Sequence, residues 1–172
     1  MNYSSLLFWL AANLFWVGCK APLKQETSMQ KVEVGGMVVQ WHYQAEQLII
    51  DATAPDIGWV GIGFNVTDDI SKASLIMAGV DRGKTYLSER FVIGPGQHQT
   101  VKALGGAEVV KLILAETNDQ STHIRFSIPV NAVDRFHYSL LPGQAIYLIC
   151  AFSMEDDLQH HSRMRQHLKI KL

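Results

Sequence analysis

Beyond Val32 the chain breaks into short apolar or alternating runs, each closed by turn residues, and no long stretch holds a helical period. Val34–Tyr43 is followed by the turn-like Gln44-Ala45-Glu46-Gln47 and then by Leu48–Ala52. Trp59–Phe64 is bounded by Pro55-Asp56 on one side and Asn65–Asp69 on the other. Ser74–Val80 and Thr85–Val92 flank Asp81-Arg82-Gly83-Lys84, a hairpin-type turn. Val109–Glu116 and Thr122–Val130 flank Thr117-Asn118-Asp119-Gln120, and the second run alternates, with Ile124, Phe126 and Ile128 on one face. Ala145–Phe152 is apolar throughout, as a central strand would be, and Leu168–Leu172 alternates to the end. Asn131–Leu141 is the best candidate for a short helical turn, stopped by Pro142-Gly143. The pattern predicts an all-β fold, a sandwich or a barrel of antiparallel strands.

The 172 residues include 48% apolar ones, enough to bury a core in one domain. A net charge of -1, with no basic stripe, excludes a nucleic-acid binder. Paired CxxC, HExxH and Walker-type motifs are missing from the sequence. Gly61-Ile62-Gly63 lies within a strand and opens no helix, so it is no dinucleotide fingerprint. The serines lack a nucleophile-elbow context. Nothing in this inventory demands an enzyme.

Met1–Gly18 reads as an address. Leu6–Val17 is almost wholly apolar, too short to span a bilayer and suited to the core of a secretory signal. Gly18-Cys19 then resembles a bacterial lipobox, in which the Cys19 sulfur is acylated after export. Trp16 stands where a Leu is usual, and no Lys or Arg precedes the apolar run. An ordinary cleaved signal that leaves a soluble protein is the alternative. The expected organisation is a signal peptide over 1–18, a lipidated Cys19 with a flexible tether over 19–31, and one domain over 32–172. This predicts an exported lipoprotein, periplasmic or on the cell surface, held to a membrane by its lipid. A disulfide between Cys19 and Cys150 is open on paper; lipidation of the first and burial of the second is the preferred reading.

Five segments carry a resemblance. Gly58-Trp59-Val60-Gly61-Ile62-Gly63-Phe64-Asn65 resembles the "GWVAIGF" strand of DOMON domains. Ala73–Val80 with Asp81-Arg82-Gly83 is similar to the family's next strand and turn. Gly94-Pro95-Gly96-Gln97-His98 with Leu104-Gly105-Gly106 resembles a loop of bacterial members. Phe126-Ser127-Ile128-Pro129-Val130 with Asp134 resembles the "F-x-x-P-L" strand end, and Ala151-Phe152 with His160-His161-Ser162-Arg163 the terminal segment. The likeness covers about residues 32–172. It implies an immunoglobulin-like antiparallel β-sandwich that binds b-type haem or a sugar, with iron held by a Met and a C-terminal His. Such ligation fills both axial positions and suits electron transfer.

Carried onto this chain, the resemblance puts the His ligand at His160 or His161; neighbours on a strand face opposite ways, and Ser162-Arg163 favours His161. Ile70 stands where the family's Met would be, and Ile cannot coordinate iron. Met77 is the nearest thioether, a second ligand or a packed core residue. His98, on its Gly-Pro-Gly loop, and Trp59 are further candidates to line the site. A haem-binding electron carrier serving a redox partner is the leading expectation. A carbohydrate or other small-molecule module without haem, and a structural or interaction domain, are the alternatives. All binding readings expect a cavity between two packed sheets with an imidazole facing into it.

Overall fold

The computed structural model describes residues 28–159 and 161–172. The signal segment, Cys19, most of the tether and His160 lie outside the described residues. The fold is an immunoglobulin-like sandwich of two antiparallel sheets. One sheet has the order β1 (Gln30–Val34), β2 (Met37–Gln44), β3 (Gln47–Ala54), β9 (Thr122–Pro129), β8 (Lys111–Thr117). The other runs β11 (Met164–Lys171), β10 (Ala145–Phe152), β4 (Val60–Asn65), β5 (Ser74–Asp81), β6 (Lys84–Gly94), β7 (Gln97–Thr100). No helix occurs among the described residues.

Alternation decides which face each side chain takes. Val39, Trp41, Ile50, Ile124 and Phe126 turn inward from the first sheet and meet Ile62, Phe64, Ile76, Leu148 and Cys150 from the second. Each large aliphatic or aromatic side chain buried there contributes about 1.5–3 kcal/mol. Cys150 is a free thiol in this core, and burial pushes its pKa up to about 12, so it behaves as a small hydrophobe. The space between the sheets is filled by these side chains, which corrects the expectation of a cavity there.

Two other expectations change. Val34–Tyr43 is not one strand: Gly35 and Gly36, with φ of 56° and 86°, make a two-residue turn between β1 and β2. Strand pairing accordingly starts at Gln30, inside the expected tether. Asn131–Leu141 forms turns rather than a helix, because the Asp134 carboxylate accepts the Phe136 amide at 2.9 Å and draws the backbone into an Asx-type turn.

That turn is fastened to β6 by a buried polar cluster. His137 bonds Asp134 through Nδ1 at 2.7 Å and Glu89 through Nε2 at 3.3 Å. Glu89 also accepts the Val110 amide at 2.7 Å, and Asp134 the Ala107 amide at 2.9 Å. The hydrogen bond to Glu89, then that to Asp134, raise the His137 pKa against the opposing effect of burial. Segments 101–110 and 131–140 are thereby stitched to the sandwich.

Candidate functional site

A trough lies on the outer face of the six-stranded sheet, and the β4 glycines make it. Val60, Ile62 and Phe64 point into the core, so Gly61 and Gly63 face outward. Register places Gly61 between Ala151 and Met77, and Gly63 between Ile149 and Leu75. A Cβ at Gly63 would stand 2.6 Å from the Leu75 side chain and 3.1 Å from that of Ile149. The missing side chains are what leave a concavity in a surface that is otherwise pleated and filled.

Four segments raise the walls. Trp59, Met77 and Ala151 pack together at one end, with Tyr86 and Leu158 against them. Ile70, Val92, Ile149 and Leu75 close the other. Ile70 is delivered by the 66–73 loop, which the buried Asn65 organises by donating from Nδ2 to the carbonyls of Asp69 at 2.5 Å and Ser71 at 3.0 Å. His98 comes from β7, opposite Val92. His161 and Ser162 come from the segment between β10 and β11. That segment is held close: Ser153 N donates to Trp59 O at 3.1 Å, Arg163 N to Phe152 O at 2.8 Å, and Arg163 Nη1 to the buried Asp56 at 2.7 Å. Gly58 lets the 153–155 backbone pass, since a Cβ there would strike the Ser153 and Glu155 main chain. Every position of the Gly58–Asn65 motif thus has a physical task.

The cavity itself measures about 140 Å³, or about 810 Å³ with the open space at its mouth. Trp59, Met77, His98 and His161, all singled out in the sequence, line it together, as does Ile70. Met77 and Trp59 are buried, His98 is half-buried and His161 stands exposed at the mouth. His98 lies on a strand rather than in a loop, because Pro95-Gly96 form the turn and Gly94 already pairs with Gln97. Arg165, opposite Ala151, also lines the trough and was not singled out. Trp59 Nε1 and His98 Nδ1 are buried without a hydrogen-bond partner among the described residues. Burial, and the Arg90 cation beside it, hold the His98 imidazole below its ordinary pKa, so it is neutral at pH 7.

Fold and site together define a β-sandwich domain with an apolar pocket on the outer face of one sheet, rimmed by imidazoles. More particularly, the chain belongs to the DOMON domain family, which it matches over residues 33–153. MOXD1 homolog 2 of Drosophila melanogaster is 23% identical over 118 residues, 69% of this chain. The match spans only 15% of that relative's length. Among solved structures, the cytochrome b domain of pyranose dehydrogenase from Coprinopsis cinerea superposes with a TM-score of 0.60 at 13% identity, over 82% of this chain and 80% of that one. The cytochrome domain of Myriococcum thermophilum cellobiose dehydrogenase gives 0.54 at 13% identity, over 84% and 81%.

Proposed function

We propose that this domain binds b-type haem in the outer-face pocket and serves as an electron carrier for a partner protein. One observation carries the reading: a thioether, Met77, and two imidazoles, His98 and His161, border a single apolar trough floored by glycine. The residues fit a flat, largely apolar group. Gly61 and Gly63 would leave room for it, Ile70, Leu75, Val92 and Ile149 would offer it apolar contact, and His161 and Met77 would be the donors for its metal. When bound, such a group supplies reversible one-electron chemistry at iron. The chain's own part is to hold it, exclude water from its inner face and keep His161 in place through the Arg163–Asp56 pair. The names of the two solved cytochrome domains support the same reading.

Purified protein mixed with haemin should develop a sharp Soret band distinct from that of free haemin. The band should weaken in His161→Ala and shift in Met77→Leu. A spectrum that stays that of free haemin, or is untouched by His161→Ala, overturns the reading.

Ile70 supports a second reading, a small-molecule pocket without iron, because it occupies a wall position where the family resemblance expects Met. A sugar is the weaker occupant, since Trp59 is only 3% exposed and offers no open ring face for stacking. Catalysis is assigned to the partner, not to this domain. The apolar leader and Gly18-Cys19 support export and a lipid anchor. Metabolic labelling with a radioactive fatty acid should mark the protein and be lost in Cys19→Ala.

A further inference from the structure

Arg90 carries a charge that the fold leaves unanswered among the described residues. It sits on β6 opposite Leu75, and directly paired residues share a face, so it belongs to the pocket side of the sheet. On that face Val92 is its neighbour along the strand and Thr100 its partner on β7, two register positions from the Val92–His98 pair. Arg90 is only 9% exposed. Its Nε has no hydrogen-bond partner, and no described carboxylate forms an ion pair with it. The Arg90 charge acts on His98, whose Nδ1 is also buried and unpartnered. Trp41 Nε1 in the core is unpartnered too, so a lone orphaned indole would mean little. A full positive charge is different: taking it out of water without a counter-ion is costly, and such groups are nearly always paired.

We propose that the β6–β7 edge of the pocket is a carboxylate site, in which the Arg90 guanidinium and His98 Nδ1 receive an acidic group borne by the pocket's ligand. The guanidinium presents a planar fork that matches a carboxylate. The neutral His98 imidazole, in its Nδ1–H tautomer, adds a donor. Arg165 on the far side is exposed and solvated, so it has no comparable need of a partner. The inference rests on the pocket holding a ligand, and deepens the haem reading by naming the residues that take a propionate. A free organic acid is the other source of the same chemistry.

The test compares haemin with its dimethyl ester on wild-type protein and on Arg90→Met and Arg90→Lys. Wild type should bind haemin about tenfold more tightly than the ester, the size expected for one charge-assisted pair. Arg90→Met should abolish that preference, and Arg90→Lys, which keeps charge without the fork, should retain part of it. Equal binding of both porphyrins by wild type overturns the carboxylate site while leaving haem binding intact. So does a preference that survives in Arg90→Met, because the acid is then held elsewhere. If neither porphyrin binds, the haem reading falls, and sodium propionate decides the site alone. A propionate-dependent shift of the His98 ring resonances and a rise in its pKa, absent in Arg90→Met, uphold a free acid as the ligand. No shift overturns the proposal.

Discussion

Glu89 and Arg90 are consecutive on β6, face opposite sides of one sheet, and are both buried, yet their surroundings differ completely. Inward, Glu89 has every need met: His137 approaches one carboxylate oxygen and the Val110 amide donates to the other. Outward, Arg90 meets no counter-charge, and the neighbouring His98 has a bare nitrogen. A saturated buried network is what holds a structure together, since any member removed strands the others. An unsaturated one costs stability, and folds keep such sites where a ligand completes them. The pair separates the part of this domain that maintains itself from the part that awaits something.

The sharpest way to break the comparison is Glu89→Ala. It should destabilise by about 3–5 kcal/mol in urea denaturation, the cost of leaving a buried partner uncompensated. A loss under 1 kcal/mol would mean that the inner cluster is not a fastening. Next comes the trough. Gly63→Ala forces its methyl onto Leu75 and Ile149 and should cost about 1–3 kcal/mol and abolish porphyrin binding. Gly61→Ala, whose Cβ would stand 3.3 Å from the Trp59 ring, should be milder. If both variants bind as wild type does, the trough is not the site.

A smaller effect should appear with pH. The folded pKa of His137 lies above its unfolded value near 6.5, chiefly through Glu89. Its contribution is therefore complete below that pH and is lost as pH rises through the folded value. Asp134 runs the other way: although burial opposes it, hydrogen bonds from Ala107, Phe136 and His137 lower its pKa, so its contribution fades as pH falls through that lowered value. Unfolding free energy should decline on the alkaline side, by less than the loss expected for Glu89→Ala. His137→Gln should flatten that limb, and an unchanged slope would sink the account.

Much of the sandwich was legible in the residues. The alternation of Ile124, Phe126 and Ile128, the Asp81–Lys84 hairpin and the apolar Ala145–Phe152 strand are local patterns, and local patterns fix strands. Gly35-Gly36 was also legible, being a hairpin signal, but it lay hidden in a run that looked continuous. The site was readable in its members and not in its place. Trp59, Met77, His98 and His161 could be picked out by type and family likeness. That they converge outside the sheet follows from register, which sets Gly61 opposite both Met77 and Ala151 and which no single run of sequence states. Arg90 escaped for the same reason: next to Glu89 it reads as half of a surface ion pair, until pleating sends the two to opposite faces.

The least disruptive change should be Arg90→Met, and its sign is what sharpens the comparison. For a residue that helps to hold the fold, truncating a buried guanidinium would lower stability. Here the charge has no partner to lose, and the apolar neighbours Leu75 and Val92 suit a thioether of similar length. Removing an uncompensated charge from a buried position then relieves a desolvation cost. Without ligand, the variant should match wild type or exceed it by about 1 kcal/mol in urea denaturation, while its preference for a free carboxylate disappears. Stability and binding moving in opposite directions is the signature of a group kept for its ligand rather than for the fold. A loss of 2 kcal/mol or more, of the order seen when a buried pair is broken, would instead show that Arg90 is a structural residue like its neighbour.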